Sequence, residues 1–461
     1  MPVSANALAR DIETLVHPYT NLAAFREVGP LILESAKGIY VFDGAGRPYI
    51  DGMSGLWCTA LGYGNEELIE AATQQMRKLS FAHLFGGKSH DPAIGLAEKL
   101  KEISPVPASK VFFASSGSEA NDSQIKLAWY YNNARGKTAK KTIISRKRGY
   151  HGVTLAAASL TGLPNNHLDF DLPFSWVRHL TCPFHYREAL PGETEAEFSA
   201  RLAAELDEMI QREGPDTIAA FIAEPVMGAG GVIVPPSGYF ASIQAVLDRY
   251  DILYIADEVI CGFGRTGNMF GSQTFGMEPD TITLAKALTS AYAPLAAITV
   301  PEEMYQAMLD ESRKIGTFGH GFTYSGHPVC AAVALKAIEI YERENIVGHV
   351  RAMAPVFEAQ LKSLVEHPLV GDTRSVGLIG GIELVADKDT KRAFLPQQLV
   401  GPTAGKFCES EGLIARAMGD ALALCPPLII SEAEICDMFH RLRRALDNTE
   451  AWVAKEHLRA A

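Results

Sequence analysis

Three polar residues stand at the ends of apolar runs, and their types are those of a reaction centre. Lys286 follows residues 281–285 (TITLA), Asp257 follows 252–256 (ILYIA), and Glu224 follows 217–223 (TIAAFIA). Continuous apolar runs of this length suit strands buried on both faces of a mostly parallel sheet. Open sheets of that kind place their ligands just beyond the carboxyl ends of the strands. Singly, each residue has a plain explanation. An aspartate there can cap a turn, and a lysine can snorkel to water. Together, an amine and an acid on successive strand ends suit pyridoxal 5′-phosphate (PLP), which needs a lysine to hold its aldehyde and an acid for its ring nitrogen.

Such a cofactor also needs a phosphate site. Ser116-Gly117-Ser118 lies between the short apolar run 111–113 and a helical stretch reaching about residue 134. Helix N-termini attract anions through unpaired N–H groups and the helix dipole. The same residues read equally as an N-cap, with Glu119 in the first turn. Tyr150-His151-Gly152 follows a basic loop and offers an aromatic ring that could stack on a cofactor, although simple packing explains it as well. The segment Gly262 to Gly267 fits GxGxxG, but residues 268–276 read as loop rather than as the helix a dinucleotide site requires. The 13 histidines form no HExxH and no ligand cluster with cysteine, so no metal is expected.

The elements that would position these residues alternate. Strand-like runs at 111–113, 142–144, 217–223, 252–256 and 281–285 are separated by helical stretches such as 195–212 and 237–249, the pattern of an α/β unit. Before it, residues 38–51 read as a hairpin around Gly44 to Arg47, and helices are predicted over 65–79 and from Asp91-Pro92. After about residue 330 the character changes to two helices (327–344 and 346–366), short strands near 374–385 and 413–425, and an amphipathic helix from Ser431.

Composition limits the function classes. With 461 residues the chain is expected to hold more than one domain. A formal charge of −12 argues against nucleic-acid binding, which needs a basic face. Seven scattered cysteines without CxxC spacing fit a reducing compartment better than a disulfide scaffold. The first 20 residues have neither an apolar core nor a basic lead, and no run approaches the ~20 apolar residues that span a bilayer. A cytoplasmic protein without a membrane anchor is expected.

The chain resembles the class III (omega) aminotransferases of PLP fold type I, and among them the amine:pyruvate transaminases. The resemblance runs from about 17 to 450 through DGMSGLWC (51–58), SSGSEAND (115–122), GYHGVT (149–154), AEPVMGAGGVI (223–233), ADEVICGFGRTG (256–267), AKALT (285–289), HGFTYSGHP (320–328) and LCPPLII (424–430). It implies a large α/β domain over 61–328, with a mostly parallel seven-stranded sheet. A smaller α+β domain would be built from both chain ends, 1–60 and 329–461.

The resemblance also implies roles. Lys286 would hold the cofactor covalently and Asp257 its ring nitrogen. Val259 and Tyr150 would cover the two ring faces. Ser116, Gly117 and Ser118 would hold the phosphate, with Phe322 and Thr323 reaching it from a second subunit of a homodimer or tetramer. His151 and Glu224 would complete the cofactor site. Tyr19, Leu56, Trp57, Phe85, Tyr150 and Arg416 would line the substrate pocket, with Arg416 as the mobile guanidinium that grips a carboxylate. The implied reaction passes an amino group from a primary amine or omega-amino acid to a keto acid such as pyruvate, by ping-pong steps. A decarboxylase or aminomutase of the same fold, and a PLP-binding protein without catalysis, are the alternatives. Ala291, Ala296 and Ala297 stand where relatives usually carry glycine, which bears on the pocket.

Overall fold

The computed structural model describes residues 5–460. At its centre is a seven-stranded sheet of β4 (Lys110–Ala114), β5 (Thr142–Arg146), β6 (Val177–Leu180), β7 (Ile218–Ala223), β8 (Leu253–Asp257), β9 (Thr281–Leu284) and β10 (Ala296–Val300), counting three earlier strands described below. The spatial order is β4-β10-β9-β8-β7-β5-β6. Only β10 runs against its neighbours, pairing antiparallel with both β4 and β9. Every residue of β7, β9 and β10 is buried, which is why these strands read as unbroken apolar runs.

The register brings the strand ends together. Ala223 of β7 pairs with Ala256 of β8, and Asp257 pairs with Thr283 of β9. Glu224, Asp257 and Lys286 therefore leave three adjacent strands at one edge of the sheet. The helix Gly117–Ala134 packs on β9 and β10, while Glu195–Glu213 and Tyr239–Arg249 pack on each other beside the sheet.

Two four-stranded sheets hold the remaining strands. The first joins β1 (Leu33–Lys37), β2 (Tyr40–Asp43) and β3 (Pro48–Asp51) to β13 (Leu413–Ile414), which runs parallel to β3. The expected hairpin is the β2–β3 pair, with Gly46 at φ +79° in its turn. The second contains β11 (Val370–Val376), β12 (Ile379–Leu384), β14 (Arg416–Met418) and β15 (Ala421–Leu424). The final helix, Glu432–Lys455, opens on a reciprocal cap between Ser431 and Glu434.

Two local expectations differ from the fold. Residues 268–276 are not all loop, because Gly271–Phe275 forms one short helix. Its cause is remote in sequence. The buried Glu258 carboxylate accepts the first N–H groups, from Gly271 (2.9 Å) and Ser272 (2.6 Å). Arg265, inside the same glycine-rich segment, instead donates to the carbonyls of Leu378 and Pro426, tying the segment to the C-terminal part of the chain. Strands β6 and β10 also lie where sequence patterning predicted none.

Candidate active site

A cavity of about 410 Å³ opens at the carboxyl ends of β4, β5, β7, β8 and β9. Its walls include Ser116, Gly117, Ser118, Tyr150, His151, Glu224, Asp257, Val259 and Lys286. Nine sequence-predicted residues thus meet in one place, although they span 171 positions of the chain (116 to 286).

Asp257 is buried and held by three hydrogen bonds. Its Oδ2 accepts from His151 Nδ1 (2.9 Å) and Asn121 Nδ2 (2.7 Å), and its Oδ1 from the Val259 N–H (3.1 Å). His151 Nε2 is buried with no hydrogen-bond partner among the described residues. Glu224 accepts from the N–H groups of Tyr150 (2.9 Å) and Gly228 (3.2 Å), and burial raises its carboxyl above the usual range.

Lys286 enters at φ +50° from the end of β9. Burial pulls its ammonium below the usual lysine range, while Asp257, Cys58 and Glu224 pull the other way. Among the described residues its Nζ has no hydrogen-bond or ion-pair partner. A lysine with lowered proton affinity and a free Nζ is the form in which an amine reacts with carbonyls.

Opposite lies the first turn of the helix Gly117–Ala134. Ser116 caps it, accepting from the Glu119 N–H (3.2 Å), and Ser118 Oγ accepts from the Val153 N–H (3.1 Å). The N–H groups of Gly117 and Ser118 fall in the turn where no intrahelical acceptor exists. A Cβ on Gly117 would lie 3.2 Å from a Val259 methyl, and one on Gly152 would lie 2.5 Å from Ser118 Oγ. Both glycines let backbone come close around a small anion. An unpaired lysine, a buried carboxylate two residues before Val259, an orphan imidazole nitrogen and a helix N-terminus suit the aldehyde, ring nitrogen and phosphate of PLP.

The other predicted residues lie outside these walls. Tyr19 accepts from Asn166 (2.6 Å) and approaches Tyr150, while Arg416 on β14 faces both phenols. Burial lowers Arg416 from the usual range, and among the described residues it has no carboxylate partner. Trp57, at φ +67°, is buried in a cluster with Val226, Ile260 and Cys425, and its chain neighbour Cys58 lines the cavity, as does Ile260. Leu56 and Phe85 are exposed, as is Thr323, while Phe322 is half-buried against Phe112.

Sequence reading passed over Asn121, Cys58 and Thr289, which also line the cavity. Asn121 carried a usable signal. It lies four residues after Gly117, hence on the same helix face. Ala291 lines the rim in a left-handed conformation (φ +66°), whereas Ala296 and Ala297 are buried in β10, away from the walls.

Fold and cavity together define an α/β enzyme built around a lysine–aspartate pair at adjacent strand ends. The profile of the family described as aminotransferase class-III matches residues 23–446, and the chain belongs to that family. It is 48% identical over 437 residues to a tomato (Solanum lycopersicum) protein named gamma aminobutyrate transaminase 1, mitochondrial, spanning 95% of this chain and 85% of that protein. It is also 48% identical to an uncharacterized aminotransferase of Sinorhizobium fredii, over 95% of each. Among solved structures it is similar to the omega transaminase of Pseudomonas jessenii in complex with PMP, with 54% identity and a TM-score of 0.96 over 97% of this chain and 99% of that one. The chain is a PLP-dependent aminotransferase of fold type I, acting on amines and keto acids.

Proposed function

We propose that this aminotransferase takes the amino group of a primary amine or an omega-amino acid and gives it to pyruvate, forming alanine in a ping-pong cycle. The observation that carries the reading is the unpartnered Lys286 Nζ beside a buried, triply hydrogen-bonded Asp257 in one cavity. When bound, PLP supplies an aldehyde for condensation with amines and a protonated ring that takes up electrons. Each residue's part follows from its place. Lys286 Nζ, held toward its neutral form by burial, removes the proton from the donor's amine-bearing carbon. Asp257 would present a negative charge to the ring nitrogen. The N–H groups of Gly117 and Ser118, with the hydroxyls of Ser116 and Ser118, would hold the phosphate. Val259 and Tyr150 would cover the ring faces, while His151 bonds to Asp257 and Glu224 to the Tyr150 N–H.

Arg416 favours a carboxylate-bearing acceptor, since a half-buried guanidinium without a counter-ion invites one. Tyr19, Leu56, Trp57 and Phe85 are assigned to the substrate pocket. Phe85, Phe322 and Thr323 would act across a homodimer interface, which accounts for their place outside the cavity of a single subunit. The relatives named for gamma-aminobutyrate make a terminal-amino carboxylate one reasonable donor. Residues 1–60 with 329–461 form the proposed small domain around the large one at 61–328. Among the described residues no helix is long and apolar enough to cross a membrane. We assign the protein to the cytoplasm on its similarity to a bacterial aminotransferase.

The test is optical. With PLP added, the protein should show a visible band that an amine bleaches and pyruvate restores. Lys286→Ala should lose turnover while keeping its fold, and ordinary turnover in that variant would overturn the assignment. Release of carbon dioxide, or amino transfer without an acceptor, would point to the decarboxylase or aminomutase chemistry instead.

A further inference from the structure

Asn121 is a cavity residue with an arrangement that packing does not explain. Its side chain is almost wholly buried, one turn into the helix Gly117–Ala134. Nδ2 donates one hydrogen to Asp257 Oδ2 (2.7 Å) and the other to the His151 carbonyl (2.7 Å). Both partners are acceptors, so the amide can sit only one way round. Turned over, Oδ1 would face a carboxylate oxygen. In the orientation it adopts, Oδ1 is buried with no partner among the described residues. An unpaired buried acceptor is a cost that an apolar side chain of the same size would avoid. The site retains the amide despite that cost.

The amide joins three chain segments at the cavity: the helix that begins at the proposed phosphate site, the loop carrying Tyr150 and His151, and the end of β8. Its effect on Asp257 is specific. Oδ2 carries two donors, Asn121 Nδ2 and His151 Nδ1, whereas Oδ1 carries only the Val259 N–H. A carboxylate oxygen has two acceptor positions. Oδ2 is therefore full, the carboxylate cannot rotate without breaking charge-assisted bonds, and Oδ1 keeps room for one more donor.

We propose that Asn121 is a positioning residue that locks the Asp257 carboxylate and the His151 loop into one arrangement, leaving Oδ1 as the acceptor for the cofactor's ring nitrogen. This rests on the cofactor reading above and adds a residue to it. Asn121 touches the carboxylate and not the reacting atoms, so it acts through Asp257.

Two variants test it. Asn121→Asp keeps the shape and puts an oxygen where the donor was, facing Asp257 Oδ2. Asn121→Ser replaces the amide with a shorter hydroxyl that has one hydrogen to donate and cannot serve both acceptors, and leaves space for water. Four measurements are made on each: the PLP dissociation constant of the cofactor-free protein, the pH dependence of the bound cofactor's visible absorption, the thermal unfolding of the cofactor-free protein, and the steady-state kinetics with the donor. Asn121→Asp should weaken PLP binding at least about tenfold, the loss of one charge-assisted bond, and should displace the absorption–pH curve. Asn121→Ser should do the same to a smaller degree. Both should unfold within a few degrees of the unsubstituted protein, and kcat should fall with little change in the donor's KM. PLP affinity within about twofold in both variants, with superimposable pH curves, would make Asn121 a packing residue and overturn the proposal. Loss of the fold in both would overturn it too, by making the role structural. Failure of the transaminase reading would look different, because the unsubstituted protein itself would then ignore amines.

Discussion

At the scale of single residues, the chemistry is decided by what lacks a partner. Among the described residues, neither Lys286 Nζ nor the Arg416 guanidinium is paired with a carboxylate, and burial opposes the charge of each. Lys286 would offset the cost in the proposed role of reacting amine. Arg416 would offset it when a substrate carboxylate arrives, so the two proposed half-reactions depend on it unequally. Arg416→Leu should raise KM for pyruvate by about ten- to a hundredfold, the worth of a charge-assisted pair, and leave a donor lacking a carboxylate nearly unaffected. Steady-state kinetics with pyruvate varied against a simple alkyl amine would show it, and equal losses on both substrates would place Arg416 in the scaffold. Much of this was legible in the sequence, because a charge at the end of an apolar strand is conspicuous. Asn121 was legible only in part. Its spacing from Gly117 puts it on the same helix face, but nothing local in the sequence sets it against Asp257.

At the scale of elements, the strands and helices followed from hydrophobic periodicity, and the exceptions have physical causes. The short helix Gly271–Phe275 exists because Glu258 caps it from the end of β8, a contact invisible to local patterning. The turn after Lys286 is the other case. Lys286, Ser290 and Ala291 all have positive φ (+50°, +49° and +66°). Long-range bonds hold the turn there. The Leu61 N–H donates to Ser290 Oγ, and the Tyr292 hydroxyl bridges Gly62 and Asn65. A left-handed alanine costs about 1–2 kcal/mol, and glycine forfeits part of that gain, about 0.4–1 kcal/mol, through the entropy of the unfolded chain. Ala291→Gly should therefore stabilise the protein by up to about 1.5 kcal/mol. It should also widen the cavity rim, raising kcat/KM for branched amines relative to linear ones. A chemical denaturation midpoint and a donor panel read the two effects separately. A lower midpoint would mean that the turn needs the methyl group.

At the scale of the molecule, one subunit brings nine proposed cofactor residues into one cavity but leaves five of the six predicted substrate residues outside its walls. Phe85 lies over Gly321, beside Phe322 and Thr323, on a surface that exposes much apolar area. Phe81 is 40% exposed, Phe85 47% and Tyr324 61%, with the rings of Phe81 and Tyr324 edge to face at 5.7 Å. Aromatic side chains grouped in this way on a water-facing surface are the mark of an interface core. The same face holds the residues assigned to a neighbouring subunit's phosphate and substrate, so association and cofactor binding should be linked. The unsubstituted protein should elute and scatter light as a species of twice the chain mass. Phe81→Asp combined with Tyr324→Asp places two charges in the buried centre and should give monomers, since an unpaired charge in an interface costs several kcal/mol. The monomer should retain its far-ultraviolet dichroism yet bind PLP more weakly, because Thr323 could no longer reach across. A double variant that stays dimeric would show that this face is not the interface. A monomer that holds PLP as tightly as the dimer would instead confine the cofactor site to one chain, and Phe322 and Thr323 would then serve only to shape the loop.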